Sequence, residues 1–242
     1  MKLEEQFLMT ADGTQIYYQK SGSGAPLFLL HGNGGAGGYF SYQVPILTQY
    51  FTVYVIDSRG HGKSNNTRQQ LDFALMAEDL VALMLQEQLV QVHLLGFSDG
   101  ANLALVFTVL YPEKVASLVL NAGNTLVSGV KWWANLATHF QFGWYQMGAW
   151  FNAKYKEKLL VIQLMKGDLG VLESQLHQIN CPTLIIVGKH DVIKLRHSKY
   201  LTRVIPKASF IRMQGEGHQY AKRNPASFNQ EVIQFYQAKQ VI

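Results

Sequence analysis

The chain has 242 residues, of which 48% are hydrophobic and 15% are charged; this is long enough for a sizeable core and too apolar for a disordered protein. Its formal net charge of +5 would suit nucleic acid only if the charge were concentrated on one face. The two basic groupings are spaced like solvated helix faces, so we predict no nucleic-acid partner. They are Lys154, Lys156 and Lys158, and Arg196, Lys199, Arg203 and Lys207.

The single cysteine, Cys181, excludes an internal disulfide and is typical of a reducing compartment. It precedes Pro182 at a strand entry, where we expect a buried structural thiol. Residues 1–6 lack the pattern of a secretion signal, and no apolar run reaches the roughly 18 residues of a membrane span. We expect a cytoplasmic protein without a membrane span; the oligomeric state is not indicated.

Along the chain, two alternating segments come first, at residues 3–9 and 15–19, and predict an antiparallel hairpin. Continuous apolar runs follow, most of them separated by stretches long enough for helices. Because such strands are covered on both faces, they predict a mostly parallel, doubly wound α/β sheet. The runs occupy residues 26–30, 51–56, 92–95, 118–120, 183–187 and 210–213. Helical spacing of apolar residues predicts one helix after Leu71 and another at the end of the chain.

One stretch, residues 124–180, has no convincing strand and contains all four tryptophans of the chain. We interpret it as a small helical cap over the carboxyl edge of the sheet. The predicted division is a core of residues 1–123 and 182–242 with a cap insertion of residues 124–181. The aromatic residues either line an apolar substrate pocket or only pack the cap onto the core. The tryptophans are Trp132, Trp133, Trp144 and Trp150.

Residues 96–100, Gly-Phe-Ser-Asp-Gly, match the pattern of a nucleophilic serine turn. The turn follows a predicted strand and precedes a helix-like run at residues 101–110. A sharp turn in this setting projects the serine hydroxyl, and its flanking glycines avoid collisions with nearby backbone. The new helix also directs N–H groups towards a developing oxyanion. Ser98 is therefore the predicted nucleophile.

A serine nucleophile needs a base, and the base needs an orienting acid. Eight histidines are available, so chain order must choose among them. With this turn the acid and then the histidine follow late strands, which selects Asp191 after residues 183–187 and His218 after residues 210–213. Both are expected at the sheet's carboxyl edge beside Ser98. His190 belongs to the loop of the acid, and His93 lies within a strand and is expected to be structural.

Along nearly its whole length the chain resembles the α/β-hydrolase family. Besides the three positions above, His31 and Gly32 after one strand and the loop of residues 57–64 after the next match loops of that family. The resemblance implies an oxyanion hole formed by the backbone N–H groups of Asn33 and Asp99. The Ser-Asp-Gly version of the turn is similar to valacyclovirase-like esterases, although Ala101 departs from the glycine often found there.

A competing pattern lies in the same region. Residues 32–37 fit the glycine fingerprint of dinucleotide-binding folds, and Asp57 ends the next strand about 20 residues on. This alternative predicts an oxidoreductase. It leaves Ser98, Asp191 and His218 as coincidences, and it usually opens a domain rather than following a hairpin. Residues 62–64, Gly-Lys-Ser, suggest a phosphate loop, but Asp57 replaces the first glycine that such a loop needs.

The expected reaction is hydrolysis of a small carboxylic ester or related acyl compound through an acyl-serine, without a cofactor or a metal. Thioester or amide hydrolysis, and ligand binding without catalysis, remain alternatives on the same fold. The Asp99 carboxylate either contacts a cationic group of the substrate or only stabilises the first turn of its helix.

Overall fold

Eight strands form one sheet in the computed structural model, which describes residues 3–242. Their order across the sheet is β1-β2-β4-β3-β5-β6-β7-β8. Strands β1 and β2 form the predicted antiparallel hairpin, β2 pairs antiparallel with β4, and β3 to β8 run parallel. The strands are β1 Glu4–Met9, β2 Gln15–Ser21, β3 Ala25–Leu30, β4 Phe51–Ile56, β5 Val92–Phe97, β6 Val115–Asn121, β7 Thr183–Gly188 and β8 Ala208–Met213.

Helices cover both faces of this sheet, which confirms the predicted fold class. The α-helices are α1 Val44–Leu47, α2 Phe73–Gln86, α3 Asp99–Leu110, α4 Trp132–Gly148, α5 Lys154–Gln163, α6 Glu173–Leu176, α7 Leu195–Val204, α8 Tyr220–Arg223 and α9 Pro225–Ala238. Short 3₁₀ turns occupy Gly37–Phe40, Pro112–Lys114, Val127–Gly129 and Leu164–Lys166.

Each central strand contributes to two hydrophobic clusters because successive side chains point to opposite faces. In β3, Phe28 and Leu30 pack with α2 and α3 on one face. Leu27 and Leu29 pack on the other face with α1 and α9. All four are fully buried. Burial on both faces explains why these strands are continuous apolar runs in the sequence.

Between β6 and β7 the chain is helical, with α4, α5 and α6 and no strand among the described residues. Helix α4 is unusual because none of its residues is buried. Helix α5 buries Val161 and Ile162 at its carboxyl end. This segment therefore rests on the sheet domain through α5 more than through α4.

Candidate active site

The turn between β5 and α3 holds Ser98 in a backbone conformation of φ 53° and ψ −120°, which is unfavourable for a residue other than glycine. The neighbouring glycines make the turn possible. A Cβ on Gly96 would lie 2.2 Å from the Gly100 carbonyl oxygen, and a Cβ on Gly100 would lie 2.0 Å from that of Leu30. The sequence pattern therefore reflects close backbone approach on both sides of the serine.

Ser98, His218 and Asp191 are joined by two hydrogen bonds. His218 Nε2 lies 3.1 Å from Ser98 Oγ, and His218 Nδ1 lies 2.8 Å from Asp191 Oδ1. Because the carboxylate only accepts, the proton of the imidazole is on Nδ1, and Nε2 is free to accept the serine proton. The structure thus brings the three predicted catalytic residues together.

The sheet order explains how residues 120 positions apart meet. Strands β5, β7 and β8 end at the same edge of the sheet, and Ser98, Asp191 and His218 follow their respective ends. Asp191 is almost fully buried, and its Oδ1 also accepts the Ile193 backbone N–H at 2.9 Å. This second bond helps to hold the carboxylate in the orientation in which it meets His218.

The two predicted oxyanion donors border the serine. Asp99 is the first residue of α3, and Asn33 lies in the loop after β3. That loop passes close to the nucleophile, since a Cβ on Gly32 would lie 3.1 Å from Ser98 Cβ. Within residues 3–242, neither the Asn33 N–H nor the Asp99 N–H has a hydrogen-bond acceptor. Both donors are therefore available to an anion beside Ser98.

The Asp99 side chain is engaged by amides rather than by a cation. Its Oδ2 accepts from Asn33 Nδ2 at 2.8 Å, and its Oδ1 accepts from Asn102 Nδ2 at 3.1 Å. Burial raises the pKa of the Asp99 carboxyl to about 6, partly offset by these two amides. Asn33 Nδ2 also donates to the Val161 carbonyl oxygen at 2.6 Å, so one amide contacts both the nucleophile turn and α5.

A cavity of about 770 Å³ opens above Ser98, a size that suits a small-molecule substrate. The loop of residues 31–35 and the rings of Tyr39 and Phe97 form its floor, with Ser98 and His218. Its opposite wall comes from α4, α5 and the turn after them. The wall residues are Gln141, Tyr145, Lys154, Glu157, Lys158, Val161, Ile162 and Met165.

The four tryptophans of the predicted pocket lie outside this cavity. Their exposed fractions are 73% for Trp132, 48% for Trp133, 61% for Trp144 and 85% for Trp150. Helix α4 turns Gln141 and Tyr145 towards the cavity and its tryptophans away from it. The Asp99 carboxylate is likewise not part of the cavity wall. Neither proposed role of the tryptophans, pocket lining or packing onto the core, fits such exposure.

Two residues of the site were not expected from the sequence. Asn121 ends β6, between the strands that carry Ser98 and Asp191, and its backbone oxygen accepts the Ser98 N–H at 2.9 Å. Tyr39 stacks on Phe97 with ring centroids 4.2 Å apart. Within the described residues, the Tyr39 hydroxyl, the Asn121 amide and Asp191 Oδ2 are buried without a hydrogen-bond partner. No sequence pattern identifies Asn121 or Tyr39 as a residue of the site; only their positions in the folded chain do.

The remaining histidine and cysteine predictions concern structural residues. His93 is buried in β5, where its Nδ1 lies 2.8 Å from Ser117 Oγ, and burial lowers its pKa to about 4. His190 is exposed beside Asp191. Cys181 is half-buried, and burial raises the pKa of its thiol. None of the three contacts the Ser98 hydroxyl.

The dinucleotide alternative is wrong. The Asp57 carboxylate is buried, and its two oxygens accept the backbone N–H groups of Gly37 at 2.6 Å and Lys63 at 2.8 Å. It therefore ties two loops together, and its burial keeps it away from the hydroxyl groups of a bound ribose. The glycine-rich loop leads only into the 3₁₀ turn Gly37–Phe40, so no long helix N-terminus faces a pyrophosphate. Lys63 bonds with Glu5 on the surface.

Comparison with known proteins agrees with this architecture. A family model described as the alpha/beta hydrolase fold matches residues 25–158, more than half of the chain. The chain belongs to the α/β-hydrolase family. This match confirms the predicted resemblance to the α/β-hydrolase family, and the named relatives below confirm the predicted enzyme class.

Several relatives and solved structures similar to this chain are named as hydrolases or esterases. The serine hydrolase BPHL of Mus musculus is 29% identical over 95% of this chain and 85% of the relative. A pimeloyl-[acyl-carrier protein] methyl ester esterase of Aeromonas hydrophila is 30% identical, over 63% of this chain and 59% of the relative. An esterase structure from Exiguobacterium antarcticum superimposes with a TM-score of 0.83 at 21% identity, covering 97% of this chain and all of the other; it shares the fold.

Proposed function

We propose that the protein is a serine esterase that cleaves small carboxylic esters through an acyl-serine intermediate. The observation that carries this proposal is the hydrogen-bonded series Asp191–His218–Ser98, with the serine on a strained turn above a cavity. The relatives named as serine hydrolase and as methyl ester esterase support the same reaction class.

In the proposed mechanism, His218 Nε2 takes the proton of Ser98 as the serine oxygen attacks the ester carbonyl. Asp191 keeps the imidazole oriented and stabilises its positive charge. The N–H groups of Asn33 and Asp99 hold the oxyanion, and loss of one such donor typically raises the barrier by about 3 kcal/mol. His218 then protonates the leaving alcohol, and water attacks the acyl-serine with the same histidine as base.

We further propose that residues 124–181 act as the cap of this site, because α4 and α5 supply one wall of the cavity. Most residues of the lining are uncharged, which suits a small acyl group. Thioester and amide substrates fit the same geometry, and a series of ester, thioester and amide compounds with one shared acyl group would rank the three by kcat/KM.

The decisive experiment compares Ser98→Ala and His218→Gln with the wild type on short p-nitrophenyl esters. We expect kcat to fall by roughly 10⁴-fold or more in both variants. A fluorophosphonate probe should label Ser98 in the wild type but in neither variant, because the probe needs a serine activated by its base. Ser41→Ala and His190→Gln are matched controls, since both residues are exposed. Full activity in Ser98→Ala would refute the mechanism. Absence of both turnover and labelling in folded wild type would favour a binding protein.

A further inference from the structure

Helix α4 carries its apolar face outwards. Large hydrophobic residues recur along it every three or four positions, and all are well exposed. We call them the outer stripe: Trp132, Trp133, Leu136, Phe140, Trp144 and Met147, with exposed fractions from 47% to 73%. Trp150 and Phe151, in the turn that follows, are exposed by 85% and 84%. The stripe therefore continues beyond the end of the helix.

Helix α4 is a regular amphipathic helix, but its apolar side faces the solvent and its other side faces the protein. At 3.6 residues per turn the outer stripe covers an arc of roughly 120°. The opposite side of α4 includes Thr138, Phe142 and Tyr145, which are half-buried. A contiguous exposed apolar surface of this kind marks an interaction site in a folded protein, because leaving it in water has a free-energy cost.

The segment of chain that carries the outer stripe is positively charged. Between Lys131 and Lys166 the chain has five lysines and a single carboxylate, Glu157. Lys131 directly precedes α4, and Lys154 begins α5 only three residues after Phe151. None of these five lysines is in an ion pair within residues 3–242. Lys154 and Lys158 line the cavity, and the ammonium groups of Lys158 and Lys166 lie over aromatic rings. Among the described residues, Lys131 and Lys156 therefore remain for an anionic partner, and the segment as a whole keeps its positive charge.

This combination favours a lipid surface over other occupants. Tryptophan prefers the boundary between water and hydrocarbon, and an apolar helix face flanked by lysines is typical of helices that lie in the plane of a membrane. A second copy of the chain would bring two lysine-rich segments together, and their repulsion disfavours such a dimer. Among the described residues, no helix is both long enough and apolar enough to cross a bilayer. The helix would therefore lie on the surface.

We propose that the outer stripe docks the protein onto membranes that contain anionic lipids. The docked helix would keep its other side, with Gln141 and Tyr145 in the wall of the cavity, turned away from the membrane and towards the protein. This inference does not depend on the proposed hydrolysis, since it concerns only where the protein binds.

The test uses the full chain with vesicles of phosphatidylcholine alone and of an equimolar mixture with phosphatidylglycerol. Because all four tryptophans lie in this region, intrinsic fluorescence reports docking without a label. We expect a blue shift and co-flotation with the anionic vesicles, weaker binding to the neutral ones, and loss of binding at high salt. Failure of the folded wild type to float with anionic vesicles would overturn the proposal.

The double variant Phe140→Ser/Met147→Ser keeps every tryptophan and removes the centre of the outer stripe. We expect its vesicle partition coefficient to fall by at least about tenfold. Leu85→Ser/Val90→Ser is the matched control, since these residues are 73% and 85% exposed elsewhere on the surface; its binding should equal that of the wild type. Far-UV circular dichroism checks that each variant is folded.

A charge variant tests whether the lysines select anionic lipids. Lys131→Gln/Lys156→Gln should lose its preference for anionic over neutral vesicles while keeping the stripe. Sedimentation velocity without lipid supplies the remaining outcome. A dimer of the wild type that dissociates in Phe140→Ser/Met147→Ser would mean that the stripe pairs two copies, and the lipid proposal would be wrong.

Discussion

At the carboxyl edge of the sheet, Ser98, His218 and Asp191 are linked by hydrogen bonds and supported by packed strands. On helix α4, by contrast, the large apolar side chains are exposed to water. The first region tolerates little change because its backbone atoms are in close contact. The second has no such constraint, and exposing its apolar side chains to water costs free energy unless something outside this chain covers them.

Two glycines sharpen this contrast most strongly. A Cβ on Gly100 would lie 2.0 Å from a backbone oxygen of β3, whereas a Cβ on Gly143 in α4 would meet nothing within 4 Å. We expect Gly100→Ala to lower the free energy of unfolding by about 3 kcal/mol or more, and Gly143→Ala to raise it by up to about 1 kcal/mol through helix propensity. Urea denaturation measures both, and similar effects of the two substitutions would break the comparison.

Next in size is the pH dependence introduced by Asp99. Its pKa is raised to about 6 from a usual value of 3.8, so the folded state binds the proton more tightly than the unfolded state. The resulting stability is full below about pH 3.8 and is lost as the pH rises through 6. Between about pH 5 and pH 7.5, we expect the wild type to lose roughly 1–2 kcal/mol relative to Asp99→Asn. Parallel stability curves for the two proteins would contradict a buried, ionising Asp99.

Adjacent residues of α4 provide a smaller contrast. Tyr145 lines the cavity, whereas Trp144 is exposed. Tyr145→Ala is expected to change kcat/KM for p-nitrophenyl esters by roughly threefold to tenfold. Trp144→Ala should leave it within about twofold and change stability by no more than about 0.5 kcal/mol. A larger kinetic effect at Trp144 would restore the tryptophans as pocket residues.

The smallest effect concerns substrate charge. Because the Asp99 carboxylate is occupied by Asn33 and Asn102 and does not line the cavity, we expect no special recognition of α-amino esters. The ratio of kcat/KM for an α-amino ester to that for its desamino analogue should agree within about twofold in wild type and Asp99→Asn. A ratio that collapses only in the variant would show that this carboxylate binds the substrate.

The sequence predicted the parts of the site that strand order determines. Continuous apolar runs located the strands, and the carboxyl ends of β5, β7 and β8 then had to bring Ser98, Asp191 and His218 to one edge. The tryptophan prediction failed for a definite reason: apolar periodicity identifies an amphipathic helix but does not say whether its apolar face packs inwards. Tyr39 and Asn121 were not predicted, because a single buried polar residue leaves no periodic pattern in the sequence. Asn121 comes next to the serine turn only through the pairing of β6 with β5, in which it lies opposite Phe97.

The side-chain amide of Asn33 has a mechanical consequence. Its nitrogen donates to the Asp99 carboxylate, next to Ser98, and to the Val161 carbonyl of α5, while the backbone N–H of the same residue is one of the two proposed oxyanion donors. Any displacement of α5 away from the sheet must either break the bond to Val161 or pull Asn33 with it. The position of α5 and the alignment of the proposed oxyanion donor are thus coupled through a single side chain.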